Sequence, residues 1–95
     1  MHMSKARRMH LDKQLLSKVP RILDYLSQLD SMRTDDVFSR MISRKRLREN
    51  YFECSDTDLQ YLVSQGFLPR QYKIKGYKAF YVRDCIESLK KVHHE

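Results

Sequence analysis

The stretch DLQYLVSQGFLPRQYKIKGYKAFYVRDCIESL, residues 58–89, holds both glycines of a 95-residue chain and one of its two prolines. Gly66 stands after the apolar positions Leu59, Leu62 and Val63, spaced for one helical face, and reads as a left-handed helix cap ahead of Phe67, Leu68 and Pro69. Beyond Pro69 the period changes from helical to two. Tyr72 and Ile74 alternate with Lys73 and Lys75, Lys75-Gly76 supplies a tight turn, and Tyr77 to Val82 returns. Asp84 then opens a final helix with Ile86, Leu89 and Val92 on one face. Residues 69–84 also concentrate five basic side chains and four aromatic ones, with no acid before Asp84.

Upstream, breakers are rare and helices are expected. Ser55 to Asp58 reads as the start of the Gly66-terminated helix, leaving Asp56, Thr57, Gln60, Tyr61 and Ser64 on its outer face. Thr34 is positioned to cap a preceding helix, with Asp35 and Asp36 in its first turn and Val37, Phe38, Met41 and Ile42 inside. Arg44-Lys45-Arg46-Leu47-Arg48 would form its basic C-terminal end, where cations suit the helix dipole. Leu11, Leu15, Val19, Ile22, Leu26 and Leu29 make a helical stripe interrupted at Pro20, so that either a second helix starts there or one helix is kinked. That stripe can close the chain's own core or form a seam with a second copy. Residues 1–9 read as a flexible basic arm and 10–33 as an N-terminal helical segment.

Composition sets outer limits. The length suits one small domain. A net charge of +7 and an isoelectric point near 9.6 favour encounters with polyanions. No apolar run is long enough to span a membrane, and MHMSKARRMH lacks the apolar core of a secretory signal. Two cysteines without CxxC spacing, Cys54 and Cys85, fit a reducing cytoplasm and packing as small hydrophobes. The histidines sit at 2, 10, 93 and 94, with no finger-like spacing to the cysteines, so no metal site is expected. The paired acids lie at helix starts, where the dipole accounts for them, and two glycines cannot make a phosphate loop. Neither catalytic residues, a cofactor nor a small-molecule substrate is expected.

The order helix, helix, Gly-terminated helix, hairpin, helix resembles the DNA-binding domain of the MerR family and of its relatives among phage excisionases, a winged helix-turn-helix. Asp58, Leu59, Gln60, Tyr61, Leu62, Gly66, Phe67 and Leu68 fall on that family's recognition-helix positions, and Gly76, Tyr77, Lys78 and Phe80 on its wing, with Asp84 opening the next helix. Asp58 and Gln60 replace the family's threonine and arginine, and Tyr81 fits the second wing aromatic better if one extra residue is allowed. The resemblance covers about a third of the chain and leaves residues 1–40 outside it.

It implies a mainly α fold with a small β-hairpin wing, the DNA-binding domain occupying residues 34–95. Thr57, Gln60, Tyr61 and Ser64 would face base edges in the major groove. Arg70, Lys73, Lys75 and Lys78, with Tyr77 beside them, would lie along phosphates or the minor groove, and Arg44, Lys45, Arg46 and Arg48 would hold the backbone on the other side. The partner is then double-stranded DNA, bound by a homodimer or by a cooperative oligomer. No coiled-coil helix or effector domain follows in the sequence, so the expectation is a compact regulator or excisionase-type recombination factor, nucleoid-associated and of prokaryotic, phage or mobile-element origin. A protein-interaction module on the same scaffold is the alternative, favoured by Asp56 and Asp58. RNA or ribosome binding is a third reading, by composition only.

Overall fold

The computed structural model describes residues 12–93. The arm at residues 1–9 and the stripe's first residue, Leu11, lie outside the described residues. Residues 12–16 are helical, a turn follows at 17–18, and α1 runs Val19–Ser31. Proline falls in the first turn of α1, where a missing N–H removes no helical bond. Leu15, Val19, Ile22 and Leu26 are all buried, and α1 lies along α4, Val82–His93. These four positions of the N-terminal stripe are therefore spent inside the chain's own core.

The helix expected from Thr34 is replaced by three shorter elements. Asp36 Oδ1 accepts from the Phe38 amide (3.0 Å) and opens a 3₁₀ turn, Val37–Arg40. Strand β1, Met41–Ser43, follows. Ser43 Oγ then accepts from the Arg46 amide (3.0 Å) and starts a new helical run: α2, Arg44–Arg46, continued by a π-helical segment, Leu47–Phe52. The reason is tertiary. Ile42 stands opposite Phe80 in the sheet, and both are fully buried. A helix through Ile42 would forfeit that pairing. The change carries two corrections with it: Val37 and Phe38, expected inside, are 44% and 43% exposed, and the basic run opens a helix instead of ending one.

Three residues join α2's run to α3, Asp56–Ser64. Glu53 takes a left-handed conformation (φ 52°), and Lys18 Nζ donates to the Phe52 carbonyl at 2.6 Å, closing the end of the run. Ser55 Oγ accepts from the Asp58 amide (3.1 Å), and Leu59 and Leu62 face the core. Gly66 (φ 81°) ends the helix as anticipated, with the amides of Phe67 and Leu68 returning to the Leu62 carbonyl.

The hairpin forms as read. Strand β2, Tyr72–Ile74, and strand β3, Tyr77–Tyr81, flank a turn in which Lys75 (φ 48°) and Gly76 (φ 88°) are both left-handed, the type I′ pattern that suits strand twist. With β1 the sheet has the order β1-β3-β2, antiparallel throughout. Helix α4 begins at Val82, two residues before the expected Asp84, which lies in its first turn. Helices and sheet share one core centred on Phe52, Phe80, Leu47 and Leu89. The fold is mainly α with a small antiparallel sheet.

Candidate nucleic-acid interface

Arg44 organises the side of the molecule where α2, α3 and the hairpin meet. It is only 8% exposed. Its Nε donates to Asp56 Oδ1 (3.0 Å) and Nη2 to the Asp56 carbonyl (3.1 Å), while Nη1 donates to Gln71 Oε1 (2.9 Å) and Gln60 Oε1 (3.4 Å). A planar five-donor fork fits such a ring of acceptors, and lysine has no equivalent. Expected to grip phosphate, Arg44 instead braces α2, α3 and the start of the hairpin. The same contact explains one of the acids of α3. The Arg44 guanidinium holds the Asp56 carboxyl below the usual carboxylate range, helped by the charges of Arg44, Arg48 and Lys78.

Around this brace lies an open cleft of about 470 Å³, lined by Ser43, Lys45 and Arg48 from the start of α2's run, by Asp56, and by Tyr77 and Lys78 of β3. Lys45 and Arg46 are exposed, the latter with its guanidinium 5.9 Å from the centre of the Tyr51 ring. Arg48 is half-buried and donates to Glu49 (2.9 Å) and to the Cys54 carbonyl (3.4 Å). Three cations in the first turn of a helix oppose its dipole. Arg44 is compensated by Asp56; Lys45 and Arg46 are exposed, the latter beside the Tyr51 ring.

On α3, Thr57, Gln60 and Ser64 are exposed, and the Ser64 hydroxyl donates to the Tyr61 carbonyl (2.8 Å). Tyr61 departs from the reading that put it on the outer face. It is half-buried, its hydroxyl donates to Asp12 at 2.6 Å, and its ring meets Phe67 edge-on. The N-terminal helical residues take it up.

On the hairpin, Lys73 and Lys78 are cross-strand partners and both exposed. Like charges directly opposite each other destabilise a strand pair. By strand alternation they share the sheet face of Ile42 and Phe80, the helix side, further out along the hairpin. Tyr77, 48% exposed, is on the other face. At the tip, Lys75 Nζ sits 4.9 Å from the centre of the Phe38 ring, and Arg70 lies over Tyr72 at 5.4 Å. Tyr72 and Tyr81 pack edge to face at 5.1 Å.

The remaining chemistry is quiet. Burial pushes the half-buried Cys54 thiol up to about 11, and burial also raises the thiol of Cys85. Among the described residues, no group of three His, Cys, Asp or Glu side chains is placed to hold a metal ion, and no helix is long and apolar enough to cross a membrane. Comparison with known protein families, with curated proteins and with solved structures finds no match for this chain.

Two features escaped the sequence reading: β1, and the role of Gln71 as an acceptor for Arg44. Ser43 was a possible cap ahead of the basic run, and it signals a helix start there.

Proposed function

We propose that this chain is a winged helix-turn-helix protein that binds double-stranded DNA, with α3 in the major groove and the β2–β3 hairpin as a basic wing. The observation that carries this reading is the exposed Lys73–Lys78 pair, held directly opposite across the hairpin, with Lys78 lining the same cleft as Lys45. Such a pairing costs stability in isolation and is relieved by an anion lying between the lysines. Lys45 and Arg46, exposed against their own helix dipole, repeat the pattern on α2. Thr57, Gln60 and Ser64 give α3 a short outer face of neutral hydrogen-bonding groups, suited to base edges, with the exposed Asp56 carboxylate at its start.

In this mechanism the lysines fix register on phosphates and α3 chooses the site. One module of this size buries only about 600–1,000 Å² on DNA, so the protein acts as a dimer or cooperatively, as a small regulator or an excisionase-type recombination factor. The self-contact uses a surface other than the buried N-terminal stripe. Duplex binding at a series of salt concentrations provides the test. Replacing Lys45, Lys73 and Lys78 by alanine should weaken binding to every sequence and flatten the log K against log salt slope by about 0.9 for each phosphate no longer neutralised. Unchanged affinity would remove the wing assignment.

A second reading, a protein-interaction module on the same scaffold, is favoured by Val37 and Phe38, which stand exposed beside Asp35 and Asp36. Absence of duplex binding at low salt selects it.

A further inference from the structure

Gln60 and Gln71 both turn their amide oxygens onto the Arg44 guanidinium. Arginine has donors only, so the orientation of each carboxamide is decided by its neighbour: Oε1 faces Arg44 and the Nε2 hydrogens face away. Arg44 itself cannot swing off, because Nε and Nη2 are occupied by the side chain and carbonyl of Asp56 and the residue is buried. Gln60 is exposed on α3, one turn after Asp56.

Building on the DNA reading, we propose that Gln60 is a specificity-determining residue that presents donors alone, and that Arg44 is the positioning residue that makes it do so. A free glutamine prefers adenine, whose N7 and N6 match an amide's donor and acceptor together. With its oxygen drawn back to Arg44, Gln60 selects instead a base whose major-groove edge carries acceptors only: guanine through O6 and N7, or thymine through O4. Adenine and cytosine each set an amino donor against the Gln60 donors and are disfavoured. Asp56, which replaces no base contact in this scheme, serves by holding Arg44 in place.

The test is selection from a random duplex library with the wild-type protein and with Gln60→Ala, Gln60→Glu and Arg44→Lys, with salt slopes and thermal melts measured alongside. One base position should respond to Gln60. There the wild type should enrich one base pair by about fivefold, the lower end of a base-edge contact. Since every pair holds a guanine or a thymine, the strand read is assigned with atom-specific analogues in the selected site. There 7-deazaguanine or 4-thiothymine should cost that same factor, and 7-deazaadenine or N4-methylcytosine on the opposite strand should cost nothing. Gln60→Ala should abolish that preference. Gln60→Glu presents acceptors and should move it to cytosine or adenine. Arg44→Lys retains the charge but not the planar fork, so the preference should relax toward adenine with the salt slope unchanged. A loss caused instead by 7-deazaadenine or N4-methylcytosine at that pair overturns the proposal, as does a base preference indifferent to Gln60 in a protein that does bind duplex. If the folded wild type binds no duplex at low salt, the DNA reading itself fails, and this inference with it.

Discussion

Arg44 is buried with its guanidinium donating to four acceptors, two of them on Asp56. Removing the fork leaves the inner oxygens of Gln60 and Gln71 without their donor, and Asp56 without its charge partner. Arg44→Ala should therefore cost about 1–3 kcal/mol of unfolding free energy, measured by denaturant titration. The Asp56 carboxylate is largely exposed, 74% by side chain, so solvent screens the ionic part of that loss. The pH dependence has a definite sign. The folded carboxyl is lowered from 3.8, so its contribution is complete above pH 3.8 and disappears as pH falls through the depressed value. The stability gap between wild type and Arg44→Ala should accordingly narrow at acid pH, leaving the part due to the Gln60, Gln71 and Asp56 carbonyl hydrogen bonds. A gap that stays constant down to low pH would show that Asp56 ionisation contributes nothing.

The turn between α2's run and α3 places a strained residue where glycine is customary. Glu53 has φ 52° and is exposed, and a left-handed conformation costs a side-chain-bearing residue about 1–2 kcal/mol. Glu53→Gly removes that strain and restores part of the lost entropy to the unfolded chain. A net gain of about 0.5–1 kcal/mol is expected, read as a higher melting temperature; a loss would mean that the Glu53 side chain makes a contribution larger than the strain. The same residue shows why this turn was hard to read. Gly66 and Gly76 marked a helix end and a hairpin because glycine is the residue that such backbone angles favour. Glutamate carries no such signal. The neighbouring error has the opposite character. Thr34 to Arg48 held good local cues for one helix, an N-terminal cap, acids first and bases last, and they lost to the pairing of Ile42 with Phe80. The two local caps actually used are Asp36 and Ser43.

Across the whole molecule, the N-terminal helical residues are integral to the core. Leu26 is fully buried where α1 lies along α4, and Lys18 and Asp12 reach across to the Phe52 carbonyl and the Tyr61 hydroxyl. Leu26→Ala should destabilise the protein by about 2–5 kcal/mol through lost burial and the cavity left behind. Because these contacts are made within one chain, the unfolding midpoint of the variant should shift by the same amount at any protein concentration. A shift that grows on dilution would return the stripe to an intermolecular seam. The site shows the same dependence on distant parts: Tyr61 is drawn off the outer face of α3 by Asp12, 49 positions earlier in the chain.

What the chain order determined by itself is the part written in local backbone chemistry. Glycine at left-handed positions, the change from helical to alternating period, and serine ahead of α3 sufficed for α3, the hairpin and the final helix to within two residues. What only the tertiary structure decided is where side chains find partners remote in sequence. Arg44 meets Gln71 across 27 positions, β1 exists because Phe80 is there to cover Ile42, and Val37 and Phe38 remain outside because that strand turned the chain away from a helix. Local patterns constrain φ and ψ one residue at a time. A buried guanidinium or a strand pairing is stabilised by groups that become neighbours only once the fold is complete.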